Sequence, residues 1–146
     1  MQQFTDDLGM VQELPELDSW ETLAQHEFGR LAYHLCDEVH IVPVNYAVQD
    51  RGLVFRTAEG SKLLGITMNH DVAFEVDQYT ETCARSVVVR GRARELAGEA
   101  AEEAALLTLR PWVPQARFHV VRIDPVEVPG RTFRLDRTWT DATIDG

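Results

Sequence analysis

The stretch from His40 to Leu63, HIVPVNYAVQDRGLVFRTAEGSKL, constrains the fold more than any other part of this chain. Two runs rich in β-branched and aromatic residues, His40 to Gln49 and Leu53 to Thr57, flank Asp50-Arg51-Gly52. Strand-forming runs divided by a short polar segment with a glycine predict a β-hairpin, here with a three-residue loop in which Gly52 supplies a positive-φ position. Counting back from that loop sets Gln49 opposite Leu53 and Asn45 opposite Thr57 on one face of the sheet. Pro43 lies inside the first strand and has no N–H to give a ladder. It predicts an edge or bulged strand whose backbone can face a ligand.

After Thr57 the chain turns through Ala58-Glu59-Gly60 and enters a predicted helix at Ser61-Lys62. A strand end, a glycine and a helix N-terminus this close together make an anion-binding arrangement. Arg56, Thr57, Ser61 and Lys62 can all donate to one phosphate there, each charged contact being worth about 1.5–3 kcal/mol. Of the fourteen basic residues, Lys62 is the only lysine. A chain that otherwise carries its positive charge on arginine thus places a compact ammonium at this one point, where it suits a phosphate. The plainer reading is a surface lysine at a helix start, which the neighbouring Arg56, Thr57 and Ser61 weaken.

HIVPVNYAV followed by VFRTAEGSKL, a helix and VAFEVD resembles the pyridoxamine 5'-phosphate oxidase-like family of FMN-binding split barrels, over roughly Trp20 to Leu135. The resemblance implies that Arg56, Thr57, Ser61 and Lys62 hold the FMN phosphate, while the backbone of Val42, Pro43, Val44 and Asn45 runs beside the isoalloxazine ring. It implies a homodimer with the cofactor between subunits, and a flavin-dependent oxidoreductase acting on a small organic substrate. Relatives that use a deazaflavin would share the phosphate cluster, and a non-enzymatic flavin carrier is a further class. Trp112, in the rigid segment Pro111-Trp112-Val113-Pro114, either covers the ring or anchors packing. Arg117-Phe118-His119 has the form of an Arg-x-His substrate element but lacks its flanking sequence, so that substrate is not carried over.

Strand count and hairpin spacing predict a mainly β (α+β) fold: a six-stranded antiparallel split β-barrel with flanking helices, in one domain spanning residues 1–146. Residues 1–17 read as an irregular acidic arm and 136–146 as a polar tail with Trp139 in it. A helix starting at Asp18 or Ser19 presents Trp20, Leu23, Ala24 and Phe28 on one apolar face. Arg30 to Leu35, Val72 to Tyr79, Ser86 to Leu96, Phe118 to Val128 and Thr132 to Leu135 supply the other strands, and Gly98 to Arg110 a second clear helix. Asn69-His70-Asp71 closes the helix begun at Ser61, with His70 as its C-terminal cap. Arg90, Arg92 and Arg94 share a face and are expected to pair with the acidic strand carrying Glu75 and Asp77, with one of them reaching a cofactor as the alternative. Gly91 predicts a bulge or a close backbone approach.

A net charge of −10 makes nucleic acid and acidic membranes poor partners. The chain shows no membrane-length apolar run and no signal-peptide pattern, so a cytoplasmic protein is expected. Cys36 and Cys83 form no CxxC pair, so reduced thiols are the default. His34, Cys36, Asp37, Glu38 and His40 crowd one turn, where a hairpin would bring His34 and His40 close enough to hold a metal; the spacing fits no zinc signature, and a polar, solvated turn is the plainer reading. No GxSxG, HExxH or Walker loop occurs.

Overall fold

The structure, a computed structural model, describes residues 11–57, 70–107 and 118–135. In chain order the elements are β1 (Val11–Leu14), α1 (Glu16–Ala24), β2 (Phe28–Leu35), β3 (Glu38–Gln49), β4 (Gly52–Thr57), β5 (Asp71–Tyr79), β6 (Cys83–Glu95), α2 (Gly98–Leu107), β7 (His119–Glu127) and β8 (Gly130–Arg134). All pairings are antiparallel, and the ring β2-β3-β4-β7-β6-β5 closes on itself as a six-stranded barrel. β8 leaves the ring by pairing with β6, and β1 pairs with β8 at the sheet's edge.

Alternation along each strand fills the barrel. On β6, Val87, Val89, Gly91 and Ala93 are buried, while Arg90, Arg92 and Arg94 point outward. Leu31, Tyr33, Val44, Tyr46, Leu53, Phe55, Phe74 and Ile123 complete the interior from the other strands. A second, smaller core lies outside the barrel wall, where α2 lays Ala104 against Val54 and Val120. Tyr46 joins α1 to the barrel: its hydroxyl donates to the Leu23 carbonyl at 2.5 Å and its ring meets Phe74 edge-on at 4.7 Å. Burial pushes the Tyr46 hydroxyl far above the ordinary tyrosine range, so it remains a neutral donor.

The hairpin differs from the expected one by a residue. Its loop is two residues, Asp50 and Arg51, both at positive φ (47° and 54°), and Gln49 pairs with Gly52. This two-residue form matches the right-handed twist of the flanking strands. Gly52 is needed for space rather than for its φ: a Cβ there would lie 2.4 Å from Arg122 Nη2. The Arg122 guanidinium occupies that space and donates to the Gln49 and Asp50 carbonyls, both at 2.9 Å. Ladder pairing beyond Tyr46 and Phe55 would therefore bring Asn45 opposite Arg56, not Thr57.

Other expectations are corrected by packing. Val11–Leu14, within the stretch read as an irregular arm, is a strand on β8. The first helix starts at Glu16 behind Pro15, with no side-chain cap, and ends at Ala24. Ser19 is buried in it rather than capping it, and Phe28 opens β2. β6 starts at Cys83, ahead of the expected Ser86, because Cys83 to Val87 pairs with β8. The three arginines do form ion pairs, but mainly with another strand: Arg90 with Glu127 (2.7 Å) and Arg94 with Asp124 (2.6 Å) on β7, and only Arg92 with β5, at Asp71 (3.8 Å). Glu75 and Asp77 face Arg30 of β2 instead, each at 3.9 Å. His70 donates from Nδ1 to the Ala93 carbonyl at the β6 edge, at 3.1 Å, since a carbonyl only accepts. The helix it was expected to cap lies outside the described residues. Gly91 is as expected: the β6–β7 register shifts between Arg90 and Gly91, and a Cβ on Gly91 would meet the Asp124 carbonyl at 2.4 Å. His34 pairs with Val39 and His40 with Tyr33, so the two histidines point to opposite faces of the sheet. Among the described residues no group of three or more potential metal ligands gathers.

Two outcomes follow for stability. Gly52→Ala and Arg122→Ala should each lower stability by about 1–3 kcal/mol by removing the guanidinium from the hairpin carbonyls. In a thermal-unfolding double-mutant cycle the double variant should cost little more than either single one, and full additivity would rule out a shared mechanism. Asp124 sits between Arg94 and Arg122; burial raises its carboxyl, but hydrogen bonds and charge from the two arginines outweigh that and hold it below the usual carboxylate range. A depressed folded-state value means this contribution is present above about pH 4 and is lost as pH falls through the folded value. Asp124→Asn should therefore flatten the acid limb of stability against pH, and an unchanged acid limb would remove Asp124 from that role.

Candidate functional site

β3 serves two neighbours in turn. Its first part, Glu38 to Asn45, pairs with β2, and Tyr46 to Gln49 pairs with β4. From Glu38 to Pro43 no described strand pairs with its other edge. The Tyr46 N–H donates to the Glu27 carbonyl on the β2 side at 2.9 Å. Because backbone groups alternate in direction along a strand, Val44 and Val42 face β2 as Tyr46 does, and Ile41 and Pro43 face the open edge. The missing N–H of Pro43 thus costs no ladder bond, which is why proline is tolerated here. At that point the edge offers a carbonyl and no donor.

Val42 and Val44 turn their side chains into the barrel, Val44 being buried, while Pro43 is exposed on the outer face. Asn45, half-buried opposite Phe28, borders a cavity of about 220 Å³ formed with His26, Glu27, Ala47 and Leu107. His26 is fixed at that cavity by a 2.7 Å contact between its Nε2 and Gln78 Oε1.

Arg56 and Thr57 end β4 on opposite faces. Arg56 lies outward, in register with Val120, where it donates to the Ala105 carbonyl of α2 and sets its guanidinium 4.5 Å above the Phe118 ring. Thr57 is buried and paired with His119, whose Nδ1 lies 2.5 Å from Glu95 Oε1. The described part of β4 therefore does not bring the two together, and the chain that follows it lies outside the described residues. Ser61, Lys62 and Trp112 fall in that category.

The Phe118 platform under Arg56 and the Glu95–His119 pair beside Thr57 were not read from the sequence. Both need the β4–β7 and β6–β7 registers, which join residues more than twenty positions apart. Among the described residues no helix is long and apolar enough to cross a membrane.

Comparison with known proteins places this geometry in a class of flavin-type split barrels. The pyridoxamine 5'-phosphate oxidase family profile matches residues 15–132, and the chain belongs to that family. An uncharacterised protein of Mycobacterium tuberculosis is 41% identical over 100 residues, which is 65% of this chain and 91% of that protein. The structure of an FAD-binding protein from Mycobacterium smegmatis is similar with a TM-score of 0.75 at 37% identity, covering 86% of this chain and 100% of the other. An FAD-binding protein from Mesorhizobium loti gives a TM-score of 0.77 at 27% identity, covering 88% and 100%.

Proposed function

We propose that the protein is a cytoplasmic FMN-dependent oxidoreductase that acts on a small organic substrate as a homodimer, with the flavin laid along the open edge of β3. The observation that carries this reading is that edge, ending beside Arg56 in a chain whose similar structures include two FAD-binding proteins. The residues suit a flavin. Within Val42 to Asn45 the backbone turned to the open edge is at Pro43, which presents only an acceptor there, while Val42 and Val44 hold the strand to β2 from behind. Arg56, with Ser61 and Lys62 further along the chain, supplies positive charge for the phosphate, which a protein of net charge −10 provides only locally. When bound, the flavin supplies the hydride and electron chemistry, and the protein's part is position and electrostatics. FAD is a second reading favoured by the two relatives, since it presents a phosphate at the same place.

The outer face of β2, β3 and β5 supports the dimer. Val39 and Ile41 are 69% and 64% exposed there, with Pro43 beside them and Ala32 in register between Ile41 and Ala73. Arg30 with Glu75 and Asp77, and Arg92 with Asp71, form a polar rim of two arginines and three carboxylates. An apolar centre within a polar rim is the anatomy of an interface, and a self-complementary one suits a two-fold pair. Pro43 belongs both to this face and to the flavin edge, so a partner seated here would border the cofactor.

Four measurements test these proposals. Arg56→Ala and Lys62→Ala should each weaken FMN binding at least about tenfold in a fluorescence titration, a loss of about 1.4 kcal/mol or more. Parent-like affinity in both would dismiss the phosphate cluster. Chromatography of the pigment released on heating distinguishes FMN, FAD and a deazaflavin, and reduction by a nicotinamide donor with turnover distinguishes an enzyme from a carrier. For the interface, Ile41→Glu should convert a dimer to a monomer in light scattering and lower flavin occupancy with it; a variant that stays dimeric assigns the interface elsewhere.

A further inference from the structure

Asn45 has a second neighbour besides the open edge of β3. The cavity of about 220 Å³ beside it lies between the α1–β2 loop, the middle of β3 and the last turn of α2. Ala24, Ala47, Val48 and Leu107 wall it, and Leu107 is an apolar side chain that the fold leaves 42% exposed. Sites for drug-sized ligands start at about 300 Å³, so this one selects a compound of a single ring.

The polar part of the lining is a histidine with one nitrogen already engaged. His26 stands half-buried between α1 and β2, in a loop tied on both sides: the Gln25 N–H donates to the Glu21 carbonyl at 3.1 Å and the Tyr46 N–H to the Glu27 carbonyl at 2.9 Å. Its Nε2 lies 2.7 Å from Oε1 of Gln78, on β5. An amide oxygen only accepts, so Nε2 carries the proton of the neutral ring and Nδ1 keeps a lone pair. His26 makes no other side-chain hydrogen bond or ion pair among the described residues. The imidazole therefore offers an acceptor on a ring held in place. The lining has one carboxylate, Glu27, and no arginine or lysine, so an anion finds no counter-charge. Glu27 is exposed to water, where a carboxylate attracts a cation only weakly. A neutral ligand with a donor is what remains.

We infer that this cavity takes a small neutral aromatic compound that donates one hydrogen bond, from a ring hydroxyl or ring N–H, to His26 Nδ1. Gln78 holds the tautomer that accepts it. That this compound is the substrate rests on the flavin reading, because Asn45 borders both the cavity and the edge assigned to the ring.

The test is calorimetric titration of the full chain, with and without added FMN, using 4-methylphenol and 4-methylanisole, in which a methyl replaces the hydroxyl hydrogen. The phenol should bind saturably and at least about fivefold more tightly than the ether, the order of a single net hydrogen bond. His26→Leu should remove that preference, and Ala24→Leu, at an exposed helix end, should weaken both ligands by filling the cavity. With FMN present, the phenol should shift the flavin's visible absorption. Equal binding of phenol and ether, a preference that survives His26→Leu, parent-like affinity in Ala24→Leu, or tighter binding of benzylammonium, which would assign the cavity to cations through Glu27, each overturns the inference. A bound phenol that leaves the flavin spectrum unmoved overturns the substrate role. A chain that takes up no FMN strikes the flavin reading alone, since the same selectivity must still appear without it.

Discussion

The architecture depends on how one strand is shared. β6 pairs with β5 along one side from Ala84 to Arg92, and on its other side it is divided, Cys83 to Val87 going to β8 and Arg90 to Glu95 to β7. Two partners cannot meet end to end along one ladder without an interruption. The interruption falls between Arg90 and Gly91, where the register shifts and Val126 is left over, 76% exposed. Gly91 lets the Asp124 carbonyl come where a Cβ would stand, and the Val88 N–H bridges to the Pro129 carbonyl at 3.0 Å. This division lets β7 return to close the ring on β4 while β8 leaves to carry β1. The barrel is split because β6 is.

Apolar burial holds the ring together, and charge mainly organises its outside. The inward residues form one continuous core across six strands, whereas the outward ion pairs of Arg30, Arg90, Arg92 and Arg94 are between side chains that remain substantially exposed. Pairs of that kind contribute little individually, typically about 0–1 kcal/mol. Arg122 is the exception among the arginines: it is largely sheltered, bound to Asp124 on one side and to two hairpin carbonyls on the other. It couples the tip of β3–β4 to the same Asp124 that lies over the β6 interruption. Register at the hairpin and register at the split are therefore connected through one guanidinium.

Much of this was legible in the sequence where the signal is local. Alternation on β3, β5 and β6 identified the strands, and Gly91 announced the close approach because a small residue between outward arginines has no other local reason. Pro43 announced the open edge through its missing donor. What escaped were features set by distant partners. A four-residue acidic segment such as Val11–Leu14 becomes a strand only because β8 is there to pair with it. The hairpin register slipped by one because Asp50 and Arg51 both take the left-handed conformation, leaving Gly52 to make room for Arg122 instead. That slip matters for the site, since it turns Arg56 outward and Thr57 inward. Their facing was not readable from the residue types. Ser61, Lys62 and Trp112 lie outside the described residues, so the phosphate cluster stands on its sequence and family arguments.

A fully closed barrel offers a ligand no backbone, because every edge is paired. Function in such a fold has to sit on loops or at a place where a ladder changes partner. β3 provides the second kind of place. It hands over from β2 to β4 near Asn45, and the stretch before the handover has one side without a described strand partner. None of that edge's outward side chains is needed by the core, since Val39, Ile41 and Pro43 project from the barrel. The inward ones, Val42 and Val44, keep the strand in place from behind. A strand anchored through alternate residues and open along its rim leaves its outward side available without cost to the interior, which is the physical basis for the proposal that flavin ring and partner subunit meet this strand.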